Sequence, residues 1–382
     1  MKQRWLWSVG IVCALMLIGM GSAAYGDIVV STGTHINAFR DDLADKTDGT
    51  EVTVPFGVSY RRGGLFALNL ETAYSSATVK SGGGTETDIS GFTDTLLSAS
   101  YSLSGESVLL TLGVDVNLPT GKENLNEDED EALSGEEDLL TVSGFGEGGN
   151  VGLSVSAIKQ LGNVTLGANG LYVYKGEYDQ TSDVEDDDVD PGDQLLLAWI
   201  LNWKASEQSL VELSGAYSYS GADAVNGEED FQEGGIVTLG GSFQHTSDPF
   251  TITVSLQEML QLSDKELIED ELATEDQNSN SHTLSLACNV NYSASERLRL
   301  QALGDVWYTG ESERKTEADG VLYTGKRVRY SFGSGVGYTI RENFWGHGLV
   351  KYLVINEKPD LAVEEERTLH GVDLNIGVTY RF

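Results

Sequence analysis

Val372, Leu374, Ile376, Val378, Tyr380 and Phe382 stand at every second position, and Gly371, Asp373, Asn375, Gly377, Thr379 and Arg381 stand between them. A strict period of two is a β-strand with one oily face and one wet face. The pattern recurs along the chain. In 281–293, Leu284, Leu286, Cys288, Val290 and Tyr292 oppose Thr283, Ser285, Ala287, Asn289 and Asn291; in 107–118, Leu110, Leu112, Val114, Val116 and Leu118 oppose Thr111, Gly113, Asp115 and Asn117. The wet faces are rich in Gly, Ser, Thr and Asn and poor in Lys and Glu, which suits a polar interior better than a solvated exterior. Tyr60, Tyr101, Trp203, Tyr219, Tyr330 and Tyr338 cluster near span ends, where the rings suit a membrane interface.

The final strand resembles the last strand of bacterial outer-membrane β-barrels. That resemblance implies a Gram-negative outer-membrane location and an assembly signal at Tyr380 and Phe382, read by the barrel-assembly machinery. The other end agrees. Lys2 and Arg4, an apolar stretch from Trp5 to Met20 and small residues around Ala24-Tyr25-Gly26 read as a signal peptide over 1–26, leaving a barrel over 27–382. A single cysteine, Cys288, then remains, so no disulfide framework or multi-cysteine metal site is expected.

Short turns such as 61–64, 103–106, 160–163 and 340–343 alternate with long polar connections near 40–50, 79–91, 119–147, 179–193, 221–233, 264–280, 310–325 and 357–367. This is the rhythm of an all-β, antiparallel up-and-down barrel with tight periplasmic turns and long outer loops. About sixteen spans run from 28–39 to 368–382. The first alternates weakly, so fourteen strands plus an N-terminal segment is the alternative.

The formal charge is −36. Most carboxylates fall in the long connections, as expected when a charge facing lipid at mid-membrane costs up to roughly 2–4 kcal/mol. Nucleic acid is disfavoured as a partner, since the field repels phosphate. Lipid and lipopolysaccharide are expected partners, with weak divalent-cation attraction at the acidic loops and no cofactor. The densest acidic run, 183–193, lacks the ligand spacing of a twelve-residue calcium loop, with Pro191 where glycine is needed.

The longest connection, 119–147, resembles the third loop of general porins in position and charge. That resemblance implies a pore constriction in which Glu127, Asp128, Glu129, Asp130 and Glu131 face Arg297, Arg299, Arg327 and Arg329, with Lys175, Lys204 and Arg381 as further bases. The competing expectation is an external loop, with the arginines balancing Asp305 and Asp373 in the wall. Val114-Asp115-Val116-Asn117-Leu118-Pro119-Thr120-Gly121-Lys122 resembles the strand exit of the meta-pathway phenol-degradation family, a group similar to fatty-acid-transporter barrels. It implies uptake of aromatic or other apolar compounds. An N-terminal hatch with Asn-Pro-Ala is absent, as no proline precedes Pro55. The five histidines lie in no nucleophile motif, so no enzyme is expected. The expected function is a channel or transporter for passive uptake of small solutes. The alternative is a structural or surface-interaction barrel whose acidic loops bind cations or lipopolysaccharide.

Overall fold

The computed structural model describes residues 26–382 apart from 43–47, 81–85, 106, 123–124, 127–128, 130–144, 147, 180–187, 226, 269–270, 276–278, 316–320, 325 and 359–365. The expected signal peptide lies outside the described residues except for Gly26, which opens the first strand. The wall consists of β1 (Gly26–Asp41), β2 (Asp48–Arg62), β3 (Phe66–Lys80), β4 (Glu86–Phe92 and Thr95–Ser104), β5 (Val108–Leu118), β6 (Asn150–Leu161), β7 (Val164–Tyr174) and β8 (Gln194–Lys204). It continues through β9 (Ser209–Ser220), β10 (Ile236–Ser247), β11 (Phe250–Gln261), β12 (Ser281–Ser293), β13 (Leu298–Thr309), β14 (Arg327–Arg341), β15 (Phe344–Glu357) and β16 (Arg367–Arg381). The sheet counts 17 segments, two of which share one span because both pair with β3. The wall is therefore sixteen antiparallel strands, closed by β1 against β16 with His35 opposite Asn375. The first span is part of the wall, so the fourteen-strand alternative is not realised.

Closure leaves no free first or last strand in the ring, which a bilayer requires. Along most strands the exposed large apolar side chains fall on one parity, such as Leu195, Leu197, Trp199 and Trp203 on β8, Leu284 and Leu286 on β12, and Val372, Ile376, Val378 and Tyr380 on β16. That parity faces outward and the other faces the lumen. Cys288 is exposed on the outward parity. Outward aromatic pairs mark both margins. Tyr74 and Phe92 meet edge-on at 5.5 Å toward the loop end, and Phe344–Tyr380 and Tyr380–Phe382 stand 6.2 and 4.6 Å apart at the turn end.

Two irregularities interrupt the ladder. Pairing of β1 with β2 skips from Thr32↔Phe56 to His35↔Thr53, because Pro55 has no N–H to give; the Thr32 hydroxyl instead donates to the Pro55 carbonyl at 2.9 Å. On β4, three residues (93–95) oppose two of β3, between the pairs Tyr74↔Phe92 and Glu71↔Leu96. This bulge switches the parity of β4. Asp94, released from the ladder, accepts from the Gly121 N–H and the Asn117 amide, both at 2.8 Å.

The outer connections are more ordered than their composition suggests. Three of those read as polar loops carry hairpins that pair side by side. Tyr178–Asp179, Asp188–Asp190, Asp223–Val225, Glu228–Gln232, Lys265–Ile268 and Glu271–Thr274 form a six-stranded sheet above β7–β12. A fourth connection carries Ser312–Lys315 paired with Val321–Thr324. Val189, Val225, Phe231 and Leu267 supply strand-forming residues among the acids.

Candidate functional site: the lumen and its two arcs

The inner wall divides into two arcs. In the closed arc, from β14 through β16 and β1 to β4, inward side chains form three layers. The lowest is a polar seam. His35 Nε2 meets Asp373 Oδ1 at 2.8 Å, and the Asn37 amide donates to Glu51 at 3.2 Å. The Thr53 hydroxyl donates to Glu51 at 2.6 Å, so the 2.6 Å contact with Ser75 is a bond that Ser75 donates. Above it lies an apolar layer: Phe39, Val79, Ile355 and Leu369 form one cluster, and Ala77, Ile89, Leu125 and Phe145 another. Glycines let the first cluster cross the strands. A Cβ on Gly49 would stand 1.9 Å from the Phe39 ring, and one on Gly371 2.7 Å from Leu353. The top layer is ionic. Glu357 pairs with Arg327 and, at 2.7 Å, with Arg367, whose guanidinium also lies 3.6 Å from Asp41.

This arc answers part of the constriction expectation. Glu127, Asp128, Asp130 and Glu131 lie outside the described residues. Glu129 is described and pairs with Lys122 of its own connection, while its backbone N–H is held by Asn126 Oδ1 at 3.0 Å. The connection is not wholly external, since Leu125 and Phe145 cover inward-facing Ala77 and Ile89. That contact lies beside the upper segment of β4, which among the described residues pairs with β3 alone. The arginines stand at two heights. Arg297 is exposed in the turn before β13, with its carbonyl accepting from the Thr339 N–H at 2.9 Å. Arg299 sits near that same turn end, whereas Arg327 and Arg329 sit at the loop end of β14. The four bases are thus split between the two ends of the barrel. Arg327 is neutralised by Glu357, and the Arg329 guanidinium lies 4.4 Å above the Trp307 ring. Asp373 pairs with His35, and Asp305 accepts from Ser331. Arg381 pairs with Asp27 at 2.6 Å. Tyr380 and Phe382 lie at the turn end on the outward face, where the Phe382 N–H donates to the Ile28 carbonyl at 2.9 Å. His370 and His282 at the loop end are engaged by Tyr352 at 2.7 Å and Glu258 at 3.2 Å.

The open arc, β6–β10, is different. Its inward residues are mostly half-buried, as expected of a wall facing a cavity, and many are apolar: Leu171, Leu196, Ala198, Ile200, Leu210, Ala216 and Ile236, with Ile158 exposed. The wet face expected from the alternation is therefore not uniformly polar. A hollow of about 370 Å³ is sunk in this wall, lined by Ser156, Ile158, Gly167, Asn169, Ala198, Ile200, Ser214, Ala216 and Thr238. A second hollow, of about 570 Å³, lies on the inner wall of β1–β5 below the seam, with Glu71, Asp94 and Asn117 among its lining. The sequence carried a signal for the first one. In Leu195–Leu201 both parities are apolar, which a strand between lipid and plain water would not need. Among the described residues, no group of three His, Cys, Asp or Glu side chains is placed to hold a metal.

Residues 195–382 match the outer membrane protein beta-barrel domain, and residues 19–269 match the family described as putative MetA-pathway of phenol degradation. No curated protein matches the sequence. Among solved structures, the chain is similar to a Pseudomonas aeruginosa FadL homologue, at 8% identity over 94% of this chain and 90% of that one, with a TM-score of 0.43. It is also similar to an outer membrane channel from Pseudomonas putida F1, at 11% identity over 94% and 96% of the two chains with a TM-score of 0.38. Outer-membrane expressed OmpT of Vibrio cholerae gives 10% identity over 94% and 97%, with a TM-score of 0.43. These are similarities of fold. The family match spans well over half of the chain, which therefore belongs to the putative MetA-pathway of phenol degradation family and is an outer-membrane β-barrel.

Proposed function

We propose that the chain is a channel for passive uptake of small solutes, apolar and aromatic compounds among them, and that it performs no bond chemistry. The observation that carries this reading is the apolar inner wall of the open arc, with a ligand-sized hollow in it. Sixteen strands enclose more space than their own side chains fill. A wall serving only ions or sugars gains nothing from Leu196, Ala198 and Ile200 facing water, which costs roughly 25 cal/mol for each Å² of apolar surface left wet. An apolar solute recovers that cost in passing. The family match is consistent with this substrate class.

The test is two-part. Purified barrel in planar bilayers is expected to give discrete conductance steps, and cells bearing the chain are expected to take up a radiolabelled apolar solute faster than cells lacking it. A silent folded barrel with no uptake difference would reject the reading. The acidic six-stranded outer sheet favours a second reading: a surface barrel that meets lipopolysaccharide through bridging cations. A silent barrel that binds lipopolysaccharide only with divalent cations present would support it. Recognition of Tyr380 and Phe382 by the assembly machinery belongs to either reading. A constriction formed by 127–131 remains compatible with the first.

A further inference from the structure

We propose that the hollow in β6–β10 is a binding site for one compact apolar molecule carrying a single hydroxyl or carbonyl group. The inference rests on the solute-channel reading and adds a point of residence within it. The hollow is built by register. Across five strands, one inward row reads Ser156, Asn169, Ala198, Ala216, Thr238, each directly opposite the next. The adjacent row reads Ile158, Gly167, Ile200, Ser214, Gly240. The floor is therefore Ala198, Ala216 and Gly167, where side chains are too small to reach the cavity. Ile158 and Ile200 stand as an apolar wall, and a Cβ on Gly167 would lie 2.7 Å from the Ile200 methyl, so the glycine is what lets that wall lean in.

The chemistry of the lining names the ligand class. No lining residue is charged, so a charged solute finds no counter-ion there. The hollow's surface is mainly apolar, with Ser156, Asn169, Ser214 and Thr238 as the polar side chains among its lining. A volume of about 370 Å³ suits one ring and not an extended chain. It sits at the lower end of the roughly 300–1,000 Å³ typical of small-molecule sites, which combine apolar walls with a few convergent polar groups. A ring would cover the alanines and isoleucines while its oxygen meets Asn169 or a neighbouring hydroxyl.

The experiment is equilibrium dialysis of radiolabelled cyclohexanol against the full barrel in nanodiscs, with empty nanodiscs as background. Saturable binding at one molecule per chain, displaced by unlabelled benzene and not by glucose, is the expected result. Filling the floor with Ala198→Leu and Ala216→Leu should weaken it by about tenfold or more. Ala157→Leu on the lipid-facing parity should leave it unchanged. Asn169→Leu should weaken cyclohexanol and spare cyclohexane. Absence of saturable binding by the unmodified barrel overturns the proposal without recourse to any variant. So does undiminished binding by a filled variant whose circular dichroism is that of the parent. Equal effects of Asn169→Leu on both ligands overturn its polar half. Uptake by cells is read separately: uptake without saturable binding rejects this site and keeps the channel, whereas binding without uptake rejects the channel and keeps the site.

Discussion

The closed and open arcs are made of the same alternating strands, lie in the same ring and face the same lumen. In the closed arc the buried apolar side chains of the inward parity lie toward the loop end, between a polar seam and an ionic row, where Ile355, Leu369, Ala77 and Ile89 are fully buried. In the open arc apolar residues occupy the inward parity at mid-wall and stay half-exposed. Where apolar residues of neighbouring strands and of a covering connection meet, they make a core. Where small residues sit in register, they leave a hollow. The difference between stability and function thus lies in side-chain volume across the rows, not in the strand pattern along them.

The sharpest way to break this comparison is to truncate one residue in each arc. Leu369→Ala or Ile355→Ala removes fully buried methyl groups and should cost about 2–5 kcal/mol. Ile200→Ala, on a half-exposed position, should cost less than about 1 kcal/mol. The measurement is the urea dependence of the folded, heat-modifiable electrophoretic form in lipid vesicles. Equal shifts in midpoint would mean that the two arcs are not energetically distinct.

A next, smaller contrast uses two glutamates on neighbouring strands of the same inward parity. Glu51 is 1% exposed and accepts from Asn37 and Thr53. Glu51→Ala strands both donors in the seam and should cost about 1–3 kcal/mol. Glu71 is exposed on the lumen side, and Glu71→Ala should stay within about 0.5 kcal/mol. The same midpoint assay reads both. A Glu71 effect as large as that of Glu51 would show that the seam extends below the bulge.

Much of this architecture is legible along the chain, and the parts that are not share a cause. Strand number, closure and orientation follow from a period of two and from alternating loop lengths, both local properties. The polar seam is not legible, because His35 meets Asp373 across the barrel closure, 338 positions away. Likewise Leu125 and Phe145 read as stray apolar residues in an acidic connection until Ala77 and Ile89 are seen beneath them. That Arg297 and Arg299 stand at the turn end and Arg327 and Arg329 at the loop end is not legible from parity, which gives the face of a residue and not its height in the wall. The outer sheet was hidden by composition, since acids dominate its hairpins while a few β-formers set the pairing.

The open arc also carries the outer sheet, which predicts a local effect. Gly234 lies where β10 bends into that sheet, and a Cβ there would stand 1.9 Å from the Leu262 carbonyl oxygen. The Gly234 N–H donates to Asp264 at 2.7 Å. Gly234→Ala should loosen the 264–280 connection by about 1–2 kcal/mol. Proteolysis there should then run about five- to thirtyfold faster, with the barrel's urea midpoint unchanged. A shift of the whole barrel would mean that sheet and wall unfold as one unit.

The smallest expected effect lies in the same clasp. Ser279 donates its backbone N–H to Glu275 at 3.0 Å, and its hydroxyl accepts from the Asp264 N–H at 2.8 Å. Burial pushes the Glu275 carboxyl above its ordinary range, and the nearby charge of Asp264 adds to this, against the hydrogen bond from Ser279. A carboxyl whose pKa is raised by folding holds its proton more tightly in the folded form. Its stabilising contribution is complete below the unfolded value and is lost as pH rises through the folded one. Protease resistance of the 264–280 connection should therefore be greatest in mild acid and decline toward neutral pH. Glu275→Gln keeps an oxygen for the Ser279 N–H and removes the charge, so it should flatten the profile and raise resistance at neutral pH. The opposite slope in the unmodified chain would mean that the Ser279 bond outweighs burial, and that the clasp over the open arc is held by an ionised carboxylate.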